Sequence, residues 1–195
     1  MKTTLTRLRP VLVPLAAVIA IALSALLWHH LPRPTDIYAP FDVHATAGSE
    51  AAGRGLTTTV TGVDIASQVT RGARGRPIKA IGIWVIVEAR MSATVASALP
   101  RAELLLGPNT YAPTLALAPS TLGLPLTPGL TQTGAWVFDV PPGLLDSAGS
   151  IALRTWVDLD PRLDSRLVIT IPLDDAEVTR TAGTAAVLPV VEAGS

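Results

Sequence analysis

Eighteen residues, Val11 to Trp28, contain sixteen apolar side chains and are interrupted only by Pro14 and Ser24. As a helix rising about 1.5 Å per residue, such a run spans roughly 27 Å, close to the hydrocarbon thickness of a bilayer. The run also accounts for the high hydrophobic share of the chain, 49%. With it set aside, about 80 hydrophobic residues remain among the other 177, an ordinary proportion for a soluble domain. This distribution excludes a polytopic membrane protein and a disordered chain. The absence of cysteine excludes a disulfide scaffold, thiolate chemistry and a lipid anchor on an N-terminal cysteine. One anchor and one domain of modest size account for the length of 195 residues.

Lys2, Arg7 and Arg9 precede the apolar run, and the first acidic residue is Asp36. Two readings of such a start compete, a cleaved signal peptide and a retained signal anchor. Ala22-Leu23-Ser24 offers small residues for cleavage, which would release a secreted protein. Ala25 to Trp28 nevertheless continue the apolar run, and Trp28 stands where an interfacial aromatic belongs. Retention is favoured: a cytoplasmic stub at 1–10, a transmembrane span at 11–28, and the remainder outside the membrane. Leu31-Pro32-Arg33-Pro34-Thr35 reads as a stiff spacer within 29–40. The zero net charge then divides. From residue 31 on there are 12 basic and 15 acidic residues, so the exported part is mildly acidic.

Beyond residue 41 the period of the apolar pattern is two, broken by Gly, Pro and Asp turns. Ile83, Val85, Val87, Ala89 and Met91 oppose Trp84, Ile86, Glu88 and Arg90. Similar runs occupy 41–45, 56–63, 102–106, 131–140, 151–159 and 167–173. Seven strands at this spacing predict an all-β sandwich of antiparallel strands over 41–173. The long Pro/Leu segment 113–129 is expected to cross between sheets or cover the core. Residues 174–195, rich in small side chains, are expected to form a mobile tail.

The order of features carries a resemblance. A Gly-Ile-Trp-Val-Ile-Val strand at 82–87 is followed by a turn ending in Tyr111. A Leu-Thr-Pro-Gly turn at 126–129 then precedes Val137-Phe138-Asp139-Val140-Pro141. The chain resembles the immunoglobulin-like β-sandwich family of exported bacterial domains to which the mycobacterial immunoprotective secreted antigen belongs. The resemblance covers roughly 41–173 and implies an immunoglobulin-like, extracytoplasmic sandwich without known catalytic residues. It supplies no site. Glu88-Ala89-Arg90 depart from the polar residue, often Asn, that the family carries after the central strand. The bias of 13 Arg to 2 Lys reads as a GC-rich bacterial source, of the actinobacterial kind.

The chemistry-bearing residues are sparse. His44 is the one histidine beyond the spacer, and it shares a strand face with Asp42, but no Gly-x-Ser-x-Gly elbow accompanies them. His29 and His30, being adjacent, point in different directions and lack metal-ligand spacing. Asp158, Asp160 and Asp164 offer oxygen donors without the glycine and terminal glutamate of a calcium loop. Asp174 and Asp175 adjoin the tail and read as solvated. The most distinctive charged feature is Thr70 to Lys79, where Arg71, Arg74, Arg76 and Lys79 alternate with two glycines. It is the candidate interaction surface, suited to anionic lipid headgroups, wall polymers or an acidic envelope protein, or else a plain hairpin loop. No cofactor, metal or nucleic acid is expected. The expected function is a non-catalytic, membrane-anchored binding or scaffolding module of the cell envelope, with an extracytoplasmic hydrolase as the remote alternative.

Overall fold

The computed structural model describes residues 9–32, 37–72, 74–181 and 183–194, with side chains in the first segment from Val13 onward. Most of the stub expected at 1–10, and residues 33–36 of the spacer, lie outside them. The chain divides into two units, Met1–Ala39 and Pro40–Ser195.

Among its described residues the first unit contains the long helix α1 (Arg9–His30). Its described side chains are all exposed, and Val13–His30 has a mean hydropathy of 1.8. A helix that is apolar on every side has no polar face to present to water. This one is long and apolar enough to cross a membrane, a property it shares with N-terminal signal sequences. It runs without interruption past Ser24.

The second unit is a β-sandwich. The five-stranded sheet has the order β1 (Phe41–Thr46), β9 (Ser165–Pro172), β8 (Ser150–Val157), β5 (Pro100–Leu106), β6 (Asn109–Tyr111). The other sheet runs β10 (Val178–Thr181), β3 (Leu56–Thr70), β4 (Ile78–Ala93), β7 (Thr131–Val140), β12 (Glu192–Gly194). Strands β2 (Glu50–Ala52) and β11 (Ala186–Val187) also pair with β3. A 3₁₀ turn (Leu115–Leu117) and a short helix, α2 (Pro142–Asp146), complete the elements.

All seven strands expected from the alternation are present. The five additional ones are two to four residues long, too short to show a period. Three pairings are parallel, β1 with β9 and both β10 and β11 with β3, so the sheets are mixed where a wholly antiparallel sandwich was expected. The reason is connectivity: none of these pairs is joined by a hairpin, and distant segments are free to run in the same direction.

Alternation decides which side chains meet between the sheets. Val85 lies opposite Phe138 and Val87 opposite Trp136 in one sheet, while Leu153 lies opposite both Leu104 and Ile169 in the other. All are buried in one cluster. The hydroxyls of Thr58 (β3) and Thr155 (β8) meet at 3.2 Å within it, satisfying each other across the two sheets. Near its start, β4 is bulged between Lys79 and Trp84. The Asp139 carboxylate holds the bulge, accepting bonds from the N–H groups of Ile81 (3.0 Å) and Gly82 (2.9 Å). A Cβ at Gly82 would lie 2.2 Å from the Val140 carbonyl oxygen, so only glycine fits there.

The outward face of the seven-stranded sheet has a core of its own. Trp84, Ile86, Ala135 and Val137 are buried there under Leu117 of the 3₁₀ turn and Leu188 of the C-terminal stretch. The segment 113–129 thus does both things expected of it: it crosses from β6 to β7, and it covers apolar surface. The C-terminal stretch corrects the expectation of a mobile tail. β10 and β11 pair with β3, and β12 pairs with β7. Between them the chain crosses the outward face, with Leu188 N–H donating to the Thr70 carbonyl at 2.9 Å. The physical reason is burial: two apolar faces on β4 require two covers, and fully burying a leucine contributes about 1.5–3 kcal/mol.

Candidate binding groove

Strand β5 has one complete edge and one broken one. Toward β8 it is paired from Pro100 to Leu105. On the other side β6 pairs only with Leu104 to Leu106, through the turn at Gly107-Pro108. Further back, Ala98 and Leu126 exchange backbone bonds of 3.1 and 2.8 Å. Between these two closures the chain from Ala112 to Pro125 bows away from the strand. A groove of about 470 Å³ lies between the bowed segment and the edge at Pro100–Glu103. Its size falls within the usual range of ligand sites, about 300–1,000 Å³.

The lining is largely apolar, with Leu115, Pro119 and Leu122 from the bowed segment, and one tryptophan comes from each sheet. Trp136 stands on β7 and Trp156 on β8. Gly123, at φ +121°, lets the segment lie against the Trp136 ring, which a Cβ there would meet at 3.1 Å. Three residues that line the groove each carry a buried side-chain N–H without a partner: Trp136 Nε1, Trp156 Nε1 and Arg101 Nε. Trp136 is only 5% exposed. By contrast, the Trp84 indole donates to the Ile78 carbonyl at 3.0 Å. A buried donor without a partner costs about 1–3 kcal/mol, and native folds retain few of them. Three along one groove mark it as the candidate site.

Residues Arg71, Arg74, Arg76 and Lys79 are all exposed on the β3–β4 hairpin, at its loop and at the first turn of β4. The structure connects only Arg71 to the groove: its guanidinium donates to the carbonyl of Ala116, in the 3₁₀ turn that forms part of the wall. Arg74, Arg76 and Lys79 make no hydrogen bond or ion pair with the described residues. Trp156, Trp136 and Arg101 are not recognisable as a group in the sequence, because the two tryptophans belong to different sheets and no local spacing unites them.

The remaining polar candidates are engaged or dispersed. Asp42 accepts two bonds from Arg166, at 2.7 Å from Nε and 2.8 Å from the terminal nitrogen, and does not orient His44, which is exposed on β1. That guanidinium holds the Asp42 carboxyl below the usual carboxylate range. Asp160 is bound by Arg162, and Asp164 accepts the N–H of Ser165 at 2.7 Å. Among the described residues no three His, Cys, Asp or Glu side chains converge as metal ligands would.

No family model matches the chain. No curated protein matches it. A solved structure, an uncharacterized β-sandwich protein from Clostridium difficile 630, superposes with a TM-score of 0.48 at 13% identity, covering 72% of this chain and 99% of that one.

Proposed function

We propose that this chain is a non-catalytic binding module of a bacterial cell envelope, held by α1 in the membrane with its sandwich outside, and that the groove beside β5 receives its ligand. The observation that carries the reading is the set of three unpartnered N–H donors along one largely apolar groove. A largely apolar cleft whose lining includes a few polar groups is the general form of a binding site. Retention in the membrane is supported by the continuity of α1 through His30, and orientation by the basic residues that precede it. Kinship with the exported immunoglobulin-like domains belongs to the same reading, as does an actinobacterial source.

The experiment is photo-crosslinking in intact cells, with a photoreactive amino acid at Leu115 on the groove wall and, as control, at Thr179 on exposed β10. Attachment of one envelope component at 115, lost on Trp156→Ala and absent at 179, is the expected result. Equal labelling at both positions would refute the groove. Mass analysis of the recovered chain tests the anchor at the same time: a chain beginning after Ser24 is a secreted protein.

A further inference from the structure

We infer that the ligand of this groove is an extended polypeptide segment that adds to the open edge of β5 as a strand, between the Ala98–Leu126 and Leu104–Tyr111 closures. This rests on the binding reading of the same groove and specifies its chemistry.

Along an antiparallel strand, successive residues turn their backbone N–H and C=O groups to opposite edges. Asp158 N–H donates to the Leu99 carbonyl at 2.9 Å, so the odd-numbered residues Leu99, Arg101 and Glu103 turn their backbone groups toward β8. The even-numbered residues turn the other way. Ala98 does so in bonding to Leu126, and Leu104 and Leu106 do so in pairing with Tyr111 and Asn109. Pro100 and Ala102 lie between, where β6 does not reach. The N–H of Ala102 and the carbonyls of Pro100 and Ala102 therefore face the groove in ladder geometry with no strand opposite them.

A sheet edge with unpaired backbone groups is a template for another strand, and natural edges are blunted by charge, proline or a cover. Here Pro100 removes one donor and segment 112–125 stands off as a partial cover, leaving a slot. From Ala98 to Leu104 the edge runs about 20 Å, at roughly 3.3 Å per residue. A segment of about four residues fits between the closures. Its backbone would bond Ala102 and Pro100, and its alternate side chains would lie against Trp136, Trp156 and Leu122 of the lining. In strand addition the backbone supplies affinity and pockets for alternate side chains supply specificity.

The test uses the full chain in lipid nanodiscs. A display library of random 12-residue peptides is selected against it, with empty nanodiscs to remove lipid binders, and a panel of soluble oligosaccharides is screened in parallel. Selected peptides are resynthesised with single backbone N-methyl groups. The expected result has three parts. N-methylation at alternate residues weakens binding by about tenfold or more while the intervening positions tolerate it. Ala102→Pro weakens binding comparably, and the Ala102 amide becomes protected from hydrogen exchange in the complex. Trp156→Ala weakens binding as well. The N-methyl series is independent of whether Ala102→Pro folds. Peptides that depend on Trp156 but are indifferent to backbone methylation would overturn strand addition and leave the groove as a site. So would oligosaccharide binding that depends on Trp156 without any peptide. Binding indifferent to Trp156, or none from either panel, would overturn the groove as well.

Discussion

The guanidinium of Arg71, on the loop between β3 and β4, donates a hydrogen bond to the backbone carbonyl of Ala116 in the 3₁₀ turn. Forty-five residues separate the two in sequence, and the bond ties the basic hairpin to the segment that walls the groove. The turn is anchored besides by Leu117, buried in the outward core, and by Thr114 N–H, which donates to the Val137 carbonyl at 2.8 Å. Thr114 caps its start, with its hydroxyl accepting from Ala116 N–H at 3.3 Å, and Ala118 N–H donates to the Leu115 carbonyl at 3.2 Å. Arg71→Ala should therefore loosen 114–120 without unfolding the sandwich. Amide exchange in this segment is expected to accelerate about threefold to tenfold, while the unfolding midpoint moves by less than the equivalent of about 1 kcal/mol, as for most exposed polar contacts. Arg74→Ala and Arg76→Ala should leave the same amides unchanged. Equal effects from all three would mean that loop charge, rather than this bond, holds the wall.

The outward core predicts that the C-terminal stretch is structural. Leu117 and Leu188, 0% and 3% exposed, cover Trp84 and Ile86 from two different segments. Leu188→Ala or Leu117→Ala should each cost about 2–5 kcal/mol in urea unfolding of the full chain. Because both leave voids in one small cluster, the double variant should cost less than the sum. A chain ending before Gly183 should be destabilised at least as much as Leu188→Ala. Unchanged midpoints would restore the mobile tail.

The contrast between what the sequence disclosed and what it hid follows from the range of the forces involved. The alternation of Ile83, Val85 and Val87 against Trp84 and Ile86 is local, and it correctly placed β4 and the six other longer strands. The same residues carried a further message, since a strand apolar on both faces must be covered twice. The covering segments do not announce themselves. β10, β11 and β12 are short and rich in Ala and Thr, and their pairing with β3 and β7 is a contact across more than fifty residues. The groove was hidden for a related reason. It depends on where the chain leaves β5 after Tyr111 and returns at Leu126, and on Trp136 and Trp156 approaching from different sheets. Charge identified Arg71 to Lys79 as an exposed surface, but charge does not reveal that Arg71 reaches Ala116.

The edge strand β1 is held to β9 by six parallel pairings and by the ion pair between Asp42 and Arg166, whose side chains are 32% and 20% exposed. Water reaches the pair, so Asp42→Asn should cost only about 0.5–1 kcal/mol at neutral pH. The sign of its pH dependence follows from linkage. The folded-state carboxyl is lowered below its ordinary 3.8 by the hydrogen bonds from Arg166. Its contribution is present above that value and is lost as pH falls through the folded one. Unfolding curves of the wild type and Asp42→Asn should therefore differ at pH 7 and converge in strong acid. A gap that persists there would assign the effect to packing instead.

Glu88 should behave in the opposite sense. It stands on β4 opposite Gly62, two pairs along from Asp64 opposite Ile86, so the two carboxylates are diagonal neighbours on the outward face. The crossing segment adds Pro189 and Val190 beside it. Burial chiefly, and the charge of Asp64 secondarily, raise its carboxyl above the ordinary 4.5. The folded state then binds this proton more tightly than the unfolded chain does. Stability is greatest below 4.5 and is lost as pH rises through the folded value, leaving a penalty at neutrality. Glu88→Gln removes the ionisable group and keeps its shape. It should stabilise the chain at pH 7 by a modest amount, under about 1 kcal/mol, because solvent reaches the side chain and screens it. The gain should shrink toward zero below pH 4.5. Asp64→Asn should act through the same group, moving the Glu88 carboxyl back toward 4.5 when its side-chain carbon is followed by NMR titration. A Glu88→Gln variant less stable than wild type at pH 7, or a Glu88 titration indifferent to Asp64→Asn, would contradict this account of the outward face.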